Sequence, residues 1–441
     1  MLIVFVLLIL ALLAKDTMPL GDRYILRGLS EGIALLVGCG GIAMSGIHGL
    51  TWRHAGLGLY LAALILAVPQ AEDILVVGFQ VLAVMAIVAF SFAFLNEARL
   101  NRRLTLHVAR AMLVALTLVC LASLIVQYWH PDNAYEQTFE GPRFRGLFSK
   151  PAMMGAASGL LLGLGLFVTW NWGIRILALV TAFPCLLLTH SRTFWVAAMV
   201  ATGIAGFGYL RWRVVRSLAG VALIMVIVCL CLGIGSQLRL DSLKQSSLLR
   251  QDSIETFSGR TVMWKQALQQ YWKHPWLGYG FTAGGMTLEE RDRRGSSVVT
   301  LGSPSQGSLT LHNGYVQALL DSGGIGAALY AGVIISALIC FVIYDRNRQY
   351  GGEFYCLLFL AIANLGETVI FGAGVLHGVW YWYLTVLALS LPSLVSPGAI
   401  RKPLGSVVQS AQQAGKPAGY FEIPLPAARR FSIVAPRKGL S

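Results

Sequence analysis

Three short polar motifs interrupt an otherwise apolar chain: Ser191-Arg192-Thr193, Ser258-Gly259-Arg260 and His312-Asn313-Gly314-Tyr315. A guanidinium keeps its charge at any working pH and grips phosphate or carboxylate oxygens through two parallel hydrogen bonds. An imidazole, by contrast, takes up and returns a proton near neutrality. Two arginines and a histidine are therefore equipped to hold negative charge on a departing group while a proton is drawn from an attacking one. Arg143 and Arg145, in Arg143-Phe144-Arg145-Gly146-Leu147-Phe148, add two further cations before another helix start.

Each residue also has a plainer account. Arg260 falls in the first turn of an expected helix, where the macrodipole is already positive. A bound anion held with the turn's free N–H groups compensates for that, and an exposed arginine or an ion pair with Asp252 or Glu255 accounts for it equally well. Arg192 opens an apolar run, where arginines commonly snorkel to water. A lone histidine is usually structural, and what distinguishes His312 is its company, with Asn313 and Tyr315 beside it as candidate substrate contacts. Glu367 and His377 lie in or between the last two apolar runs; ionisable groups at membrane depth are functional candidates, Glu367 as a partner to an arginine or histidine. Asp321, in Asp321-Ser322-Gly323-Gly324, reads as a helix-break or capping residue.

The elements that must position these groups follow from composition. Hydrophobic residues make up 56% of the chain and charged residues 12%, far more apolar than a soluble core requires, so the fold class is all-α and polytopic in a membrane. Runs long enough to span hydrocarbon, ~20 residues each, lie near 1–14, 31–49, 55–71, 74–95, 109–128, 152–170, 173–189, 193–210, 217–235, 324–344, 354–371 and 374–395, about twelve in all. The first has no basic n-region or cleavage site and reads as a retained helix. With the N-terminus inside, cytoplasmic connections carry eleven arginines, including Arg53, Arg99, Arg103 and Arg348, against seven Lys or Arg in short outer connections, in keeping with the positive-inside rule.

Residues 1–396 thus form the transmembrane domain, with a large periplasmic loop over 236–312. Residues 397–441, rich in Pro, Ala, Gln and Gly with seven basic residues against Glu422, read as a disordered basic cytoplasmic tail near anionic lipid. The net charge of +14 is therefore partly topology, and the tail lacks the aromatic interleaving of a nucleic-acid module. Arg143, Arg145, Arg192, Arg260 and His312 all map to the outer face. Within the loop, Trp264, Ala267, Leu268 and Tyr271 have amphipathic-helix spacing, with Ser258 as N-cap and Pro275 as stop; this helix is expected to lie on the membrane surface, apolar side down. The Ser/Gly/Thr-rich stretch 295–310 reads as a lid or a plain connector. Gly155, Gly159 and Gly163 recur every fourth residue, a helix-packing seam. The odd number of cysteines, all in apolar runs, excludes a disulfide frame.

No Walker loop, HExxH or GxSxG stands in a suitable context, nor an acidic pair of the metal-binding kind, so neither metal nor other cofactor is expected and the energy should come from the substrate. At this point the chain resembles the bacterial O-antigen ligase and polysaccharide polymerase superfamily (WaaL-, Wzy- and ExoQ-like proteins). The matching pieces are Arg143 to Phe148, Ser191-Arg192-Thr193, Ser258-Gly259-Arg260 with Trp264, His274-Pro275-Trp276-Leu277-Gly278-Tyr279-Gly280, and His312-Asn313-Gly314-Tyr315 leading into Asp321 to Gly326, covering about 140–345.

The resemblance implies a metal-independent, inverting glycosyltransferase of GT-C-like membrane type in the bacterial inner membrane, its active site facing the periplasm. Its donor would be a glycan on undecaprenyl diphosphate and its acceptor another repeat unit or the lipid A core, with a chain-length regulator and a flippase as protein partners. Carried over by position, Arg192 and Arg260 would hold the diphosphate, His312 would deprotonate the acceptor, and Arg143 and Arg145 would be auxiliary. The motifs do not separate ligase from polymerase, although the Trp276 to Gly280 run looks closer to ExoQ-like polymerases. A secondary transporter would show internal two-fold repeats and midplane polar residues, and a scaffold would leave the arginines and histidine unexplained.

Overall fold

Inside hydrocarbon the backbone must satisfy its own N–H and C=O groups, so apolar runs of this length become helices. The computed structural model describes residues 2–17, 23–45, 50–71, 73–101, 103–138, 141–168, 170–209, 260–282, 311–345, 347–368 and 375–395. Its helices are α1 (Leu2–Thr17), α2 (Arg23–Ser45), α3 (Ala55–Ala67), α4 (Ile74–Leu100), α5 (Arg103–Trp129), α6 (Pro151–Phe167), α7 (Trp172–Leu188), α8 (Arg192–Tyr209), α9 (Arg260–Tyr271), α10 (Gly314–Tyr344), α11 (Gly351–Ala363) and α12 (Leu376–Val395). All but α9, which lies in the expected outer loop, follow the expected runs; the run 217–235 lies outside the described residues, as do the stretch 295–310 and the tail.

Among the described residues, four segments are long and apolar enough to cross a bilayer: Trp52–Gln70, Ile74–Arg99, Arg103–Trp129 and Gly314–Tyr344. Shorter apolar helices, among them Pro151–Phe167, Trp172–Leu188 and Gly351–Ala363, pack around them. The chain is a mostly helical membrane protein.

Two boundaries near the end of the bundle differ from the sequence expectation. The tenth run begins not near 324 but at Gly314, because α10 continues through a kink at Gly323 (φ 66). The eleventh stops at Ala363, where Asn364 begins a turn instead of a further turn of helix. The all-α expectation also needs a correction: β1 (Tyr135–Thr138) and β2 (Gly141–Phe144) pair antiparallel, with Glu136 opposite Arg143. Tyr135 and Phe144 close that hairpin edge to face at 5.6 Å, a cross-strand aromatic pair that a single helical turn, Pro131–Ala134, leads into.

α11 and α12 form the centre. Every residue of α11 but Ile362 is buried, and α12 buries the run Trp380 to Leu391. α12 meets α1, α4, α10 and α11, while α11 meets α6 and α8. The bundle has two distinct ends. At one, Arg53 donates to the Tyr344 hydroxyl (2.8 Å) and Arg99 to the Ser393 hydroxyl (2.7 Å). At the other, the buried Asp16 accepts the Leu376 N–H on its carboxylate (3.2 Å) and the Ser149 N–H on its backbone carbonyl (3.1 Å), joining α1, α12 and the segment before α6.

The glycine seam of α6 is filled by rings rather than by a bare helix backbone. Gly155 faces Phe194 of α8, while Gly159 and Gly163 face Phe359 and Tyr355 of α11, and a Cβ at any of the three would overlap its ring. Phe359 and Tyr355 stack on each other, with 6.0 Å between centroids and 6° between planes, so neither ring can swing away without disturbing the other. Gly159→Leu is therefore expected to destabilise the bundle by about 1–3 kcal/mol or more, as overpacking does. A lowered melting temperature in detergent checks this, and an unchanged one would show that the rings yield.

Candidate active site

The His312-Asn313-Gly314-Tyr315 motif docks the start of α10 on the turn that follows α11. Asn313 is the N-cap: its side-chain oxygen accepts the N–H groups of Tyr315 (3.0 Å) and Val316 (3.1 Å). Gly314 donates its N–H to the Asn364 carbonyl at 2.8 Å, and a Cβ at 314 would fall on the Asn364 carboxamide, so only glycine permits the approach. The Tyr315 hydroxyl donates to the Ala361 carbonyl at 2.9 Å. His312 itself sits in the left-handed region with φ 48, a conformation that costs a side-chain-bearing residue ~1 kcal/mol and persists only where the surroundings impose it.

That turn delivers Glu367. Its Oε2 lies 2.9 Å from His312 Nδ1, with the carboxylate side chain 10% exposed and the imidazole 39%. An ionised carboxylate only accepts, so Nδ1 carries the hydrogen and Nε2 is left with its lone pair.

The start of α8 adjoins the same turn. Gly366 packs against Thr193, where a Cβ would come within 2.7 Å of the threonine methyl. Arg192, exposed and first in α8, therefore opens its helix beside the turn that bears Glu367. His190, two residues earlier, also has a left-handed backbone (φ 51). Burial lowers its imidazole pKa and the charge of Arg143 lowers it further, which puts β2's arginine within electrostatic reach of the α7–α8 turn. His190 was not singled out in the sequence; adjacency to Ser191-Arg192 was the only available signal, because a left-handed φ leaves no trace in residue type.

Three residues expected to contact substrate have polar groups engaged within the protein. Asn313 caps α10 and Tyr315 ties it to α11. Arg145 Nε donates to the Asn133 carbonyl at 3.1 Å, and the Arg145 N–H donates to the Ala134 carbonyl at 2.9 Å. The structure gives these groups positioning work around the site.

α9 turns part of its apolar face onto α10: Ala267, with Met263 and Tyr271, packs on Leu311, Val316 and Leu320, and the Trp264 indole donates to the Leu311 carbonyl at 2.8 Å. Leu268, Trp272 and Trp276 are the apolar side chains left exposed. The helix begins at Arg260, ~6 Å along the axis from Trp264. The backbone of Arg260 thus lies about one turn from the residue anchored next to His312, while its side chain and Ser258 are outside the described residues.

Two further motifs prove to be each other's partners. Tyr279 and Gly280 donate their N–H groups to the carbonyls of Leu320 (3.0 Å) and Asp321 (2.9 Å), and Gly324 donates to Pro275 (2.7 Å). The buried Asp321 carboxylate accepts the Thr282 N–H (2.9 Å) and the Gln317 amide (2.8 Å). Asp321 is therefore an anchor and not the break, which falls at Gly323, where a Cβ would run into the backbone of Trp276.

This mostly helical protein gathers an imidazole–carboxylate pair and the exposed Arg192 at one end of its bundle. Residues 177–331 match the family model described as O-antigen ligase, a likeness over about a third of the chain. The matched region holds Arg192, Arg260 and His312 but not Arg143, Arg145 or Glu367. Comparison with curated proteins gave no match.

Proposed function

We propose that this protein transfers a glycan from undecaprenyl diphosphate to an acceptor sugar hydroxyl at the periplasmic face of the bacterial inner membrane, polymerising exopolysaccharide or O-antigen repeat units. The observation that carries this reading is the 2.9 Å contact between His312 and Glu367 beside the start of α8. In the reaction, His312 Nε2 takes the proton of the acceptor hydroxyl, and the oxygen attacks the anomeric carbon from the face opposite the leaving group. The bond from that carbon to the phosphate oxygen breaks, and undecaprenyl diphosphate departs with the electron pair. Glu367 holds the imidazole and offsets the charge it gains, while Arg192 and Arg260 stabilise the charge that develops on the diphosphate. Arg143 lends further positive potential. Inversion at the anomeric carbon, independence of divalent metal and a GT-C-like membrane architecture belong to the same reading.

The test is the purified protein in proteoliposomes with lipid-linked repeat units and a chelator. Chain growth with inverted anomeric configuration is expected, and strict dependence on a divalent ion or a retained configuration would sink the mechanism. A second reading, ligation of the glycan to the lipid A core, is favoured by the description of the matching family. The polysaccharide profile of a deletion strain separates the two: lost exopolysaccharide marks a polymerase, uncapped lipopolysaccharide core a ligase.

A further inference from the structure

At the end of the bundle away from His312, α1 and α5 border an apolar groove of about 540 Å3. Its floor includes Ala111 and Ala115, its sides include Leu10 and Leu118, and one end carries His107 and Arg110 with Trp170. Leu10 and Leu118 are 48% and 60% exposed, so the groove opens outward from the bundle, where a membrane protein meets lipid. Along α5 it runs from His107 to Leu118, ~16 Å at the helical rise, which matches half of a ~30 Å hydrocarbon core. The Arg110 guanidinium lies over the Trp170 ring at 5.7 Å, at the level of the α6–α7 connection, where an interfacial indole belongs.

An apolar channel one leaflet deep, closed at the polar end by a cation and a histidine, has the shape and charge of a glycerophospholipid turned on its side. We infer that this groove binds one anionic phospholipid, an acyl chain along Ala111 and Ala115 and its headgroup phosphate at Arg110. The charge argues for a phospholipid over the tail of a polyprenyl carrier, since the phosphates of such a carrier would be needed at the opposite end of the bundle. That choice of occupant rests on the proposed reaction, whereas the groove and its cation do not.

The experiment is native mass spectrometry of the full chain in detergent, with phosphatidylglycerol and phosphatidylcholine of identical acyl chains added in competition. One arginine near a membrane surface contributes ~1 kcal/mol, so the wild type is expected to retain phosphatidylglycerol about fivefold over phosphatidylcholine. Arg110→Gln should bring the two lipids level, and Ala115→Phe, which fills the floor, should reduce retention of both. Equal retention by the wild type, a preference that survives Arg110→Gln, or retention undiminished in Ala115→Phe would each overturn the assignment. The wild-type competition decides the matter even where a variant fails to fold.

Discussion

His312→Ala is expected to abolish production of high-molecular-weight glycan while the protein still reaches the membrane in normal amount. Positioned proton transfer contributes ~10²–10⁴ in rate, and the carboxylate of Glu367 holds this imidazole in place. Glu367→Gln should fall between the wild type and His312→Ala. Its amide oxygen still accepts from Nδ1–H and keeps the ring aimed, but the neutral group no longer offsets the positive charge that the imidazole acquires. Glycan formation in proteoliposomes measures both effects. A wild-type rate for His312→Ala would place the base elsewhere, and a wild-type rate for Glu367→Gln would reduce the 2.9 Å contact to scaffolding.

Arg192→Ala and Arg260→Ala are each expected to lower the rate ~10²–10³-fold, the usual loss when a preorganised donor to developing charge is removed. If both act on one diphosphate, the double variant should lose less than the product of the two single losses, because the second arginine has less left to stabilise once the first is gone. Arg260→Lys should also be impaired, since an ammonium is a point charge that cannot reproduce the guanidinium's paired grip. Full activity in Arg260→Lys would show that charge alone suffices, and normal glycan from both alanine variants would remove the arginines from the chemistry.

How much of this was legible beforehand depends on what each feature needs. Helical segments needed only apolar runs of sufficient length, and those were plain in the sequence. That the basic and histidine motifs share one end followed from counting crossings. The partners were another matter. His312 and Glu367 are 55 residues apart, and nothing in either local sequence specifies the turn at Asn364 that brings them together. Asn313 and Tyr315 are expected substrate contacts from their place beside His312; what the sequence could not show is that one also caps a helix and the other also ties two together. Periodicity correctly marked an apolar face on α9, but periodicity does not say what covers it, and Ala267, Met263 and Tyr271 of that face are covered by α10 and Leu311. A strand hairpin as short as Tyr135–Phe144 offers too few alternations to stand out beside spans five times its strand length.

The bonds that fasten residues 275–282 to Leu320, Asp321 and Gly324 bear on how such a protein can breathe. They rivet α9 to the upper half of α10, so the segment that starts at Arg260 and the segment that starts after His312 travel as one body. The start of α10 is bonded in turn to α11 and the turn after it, through Gly314–Asn364, Tyr315–Ala361 and His312–Glu367, so tilting that body against α11 would break all three contacts. A gap wide enough for a bulky ligand is therefore expected to open toward α8, with the imidazole and its carboxylate kept together.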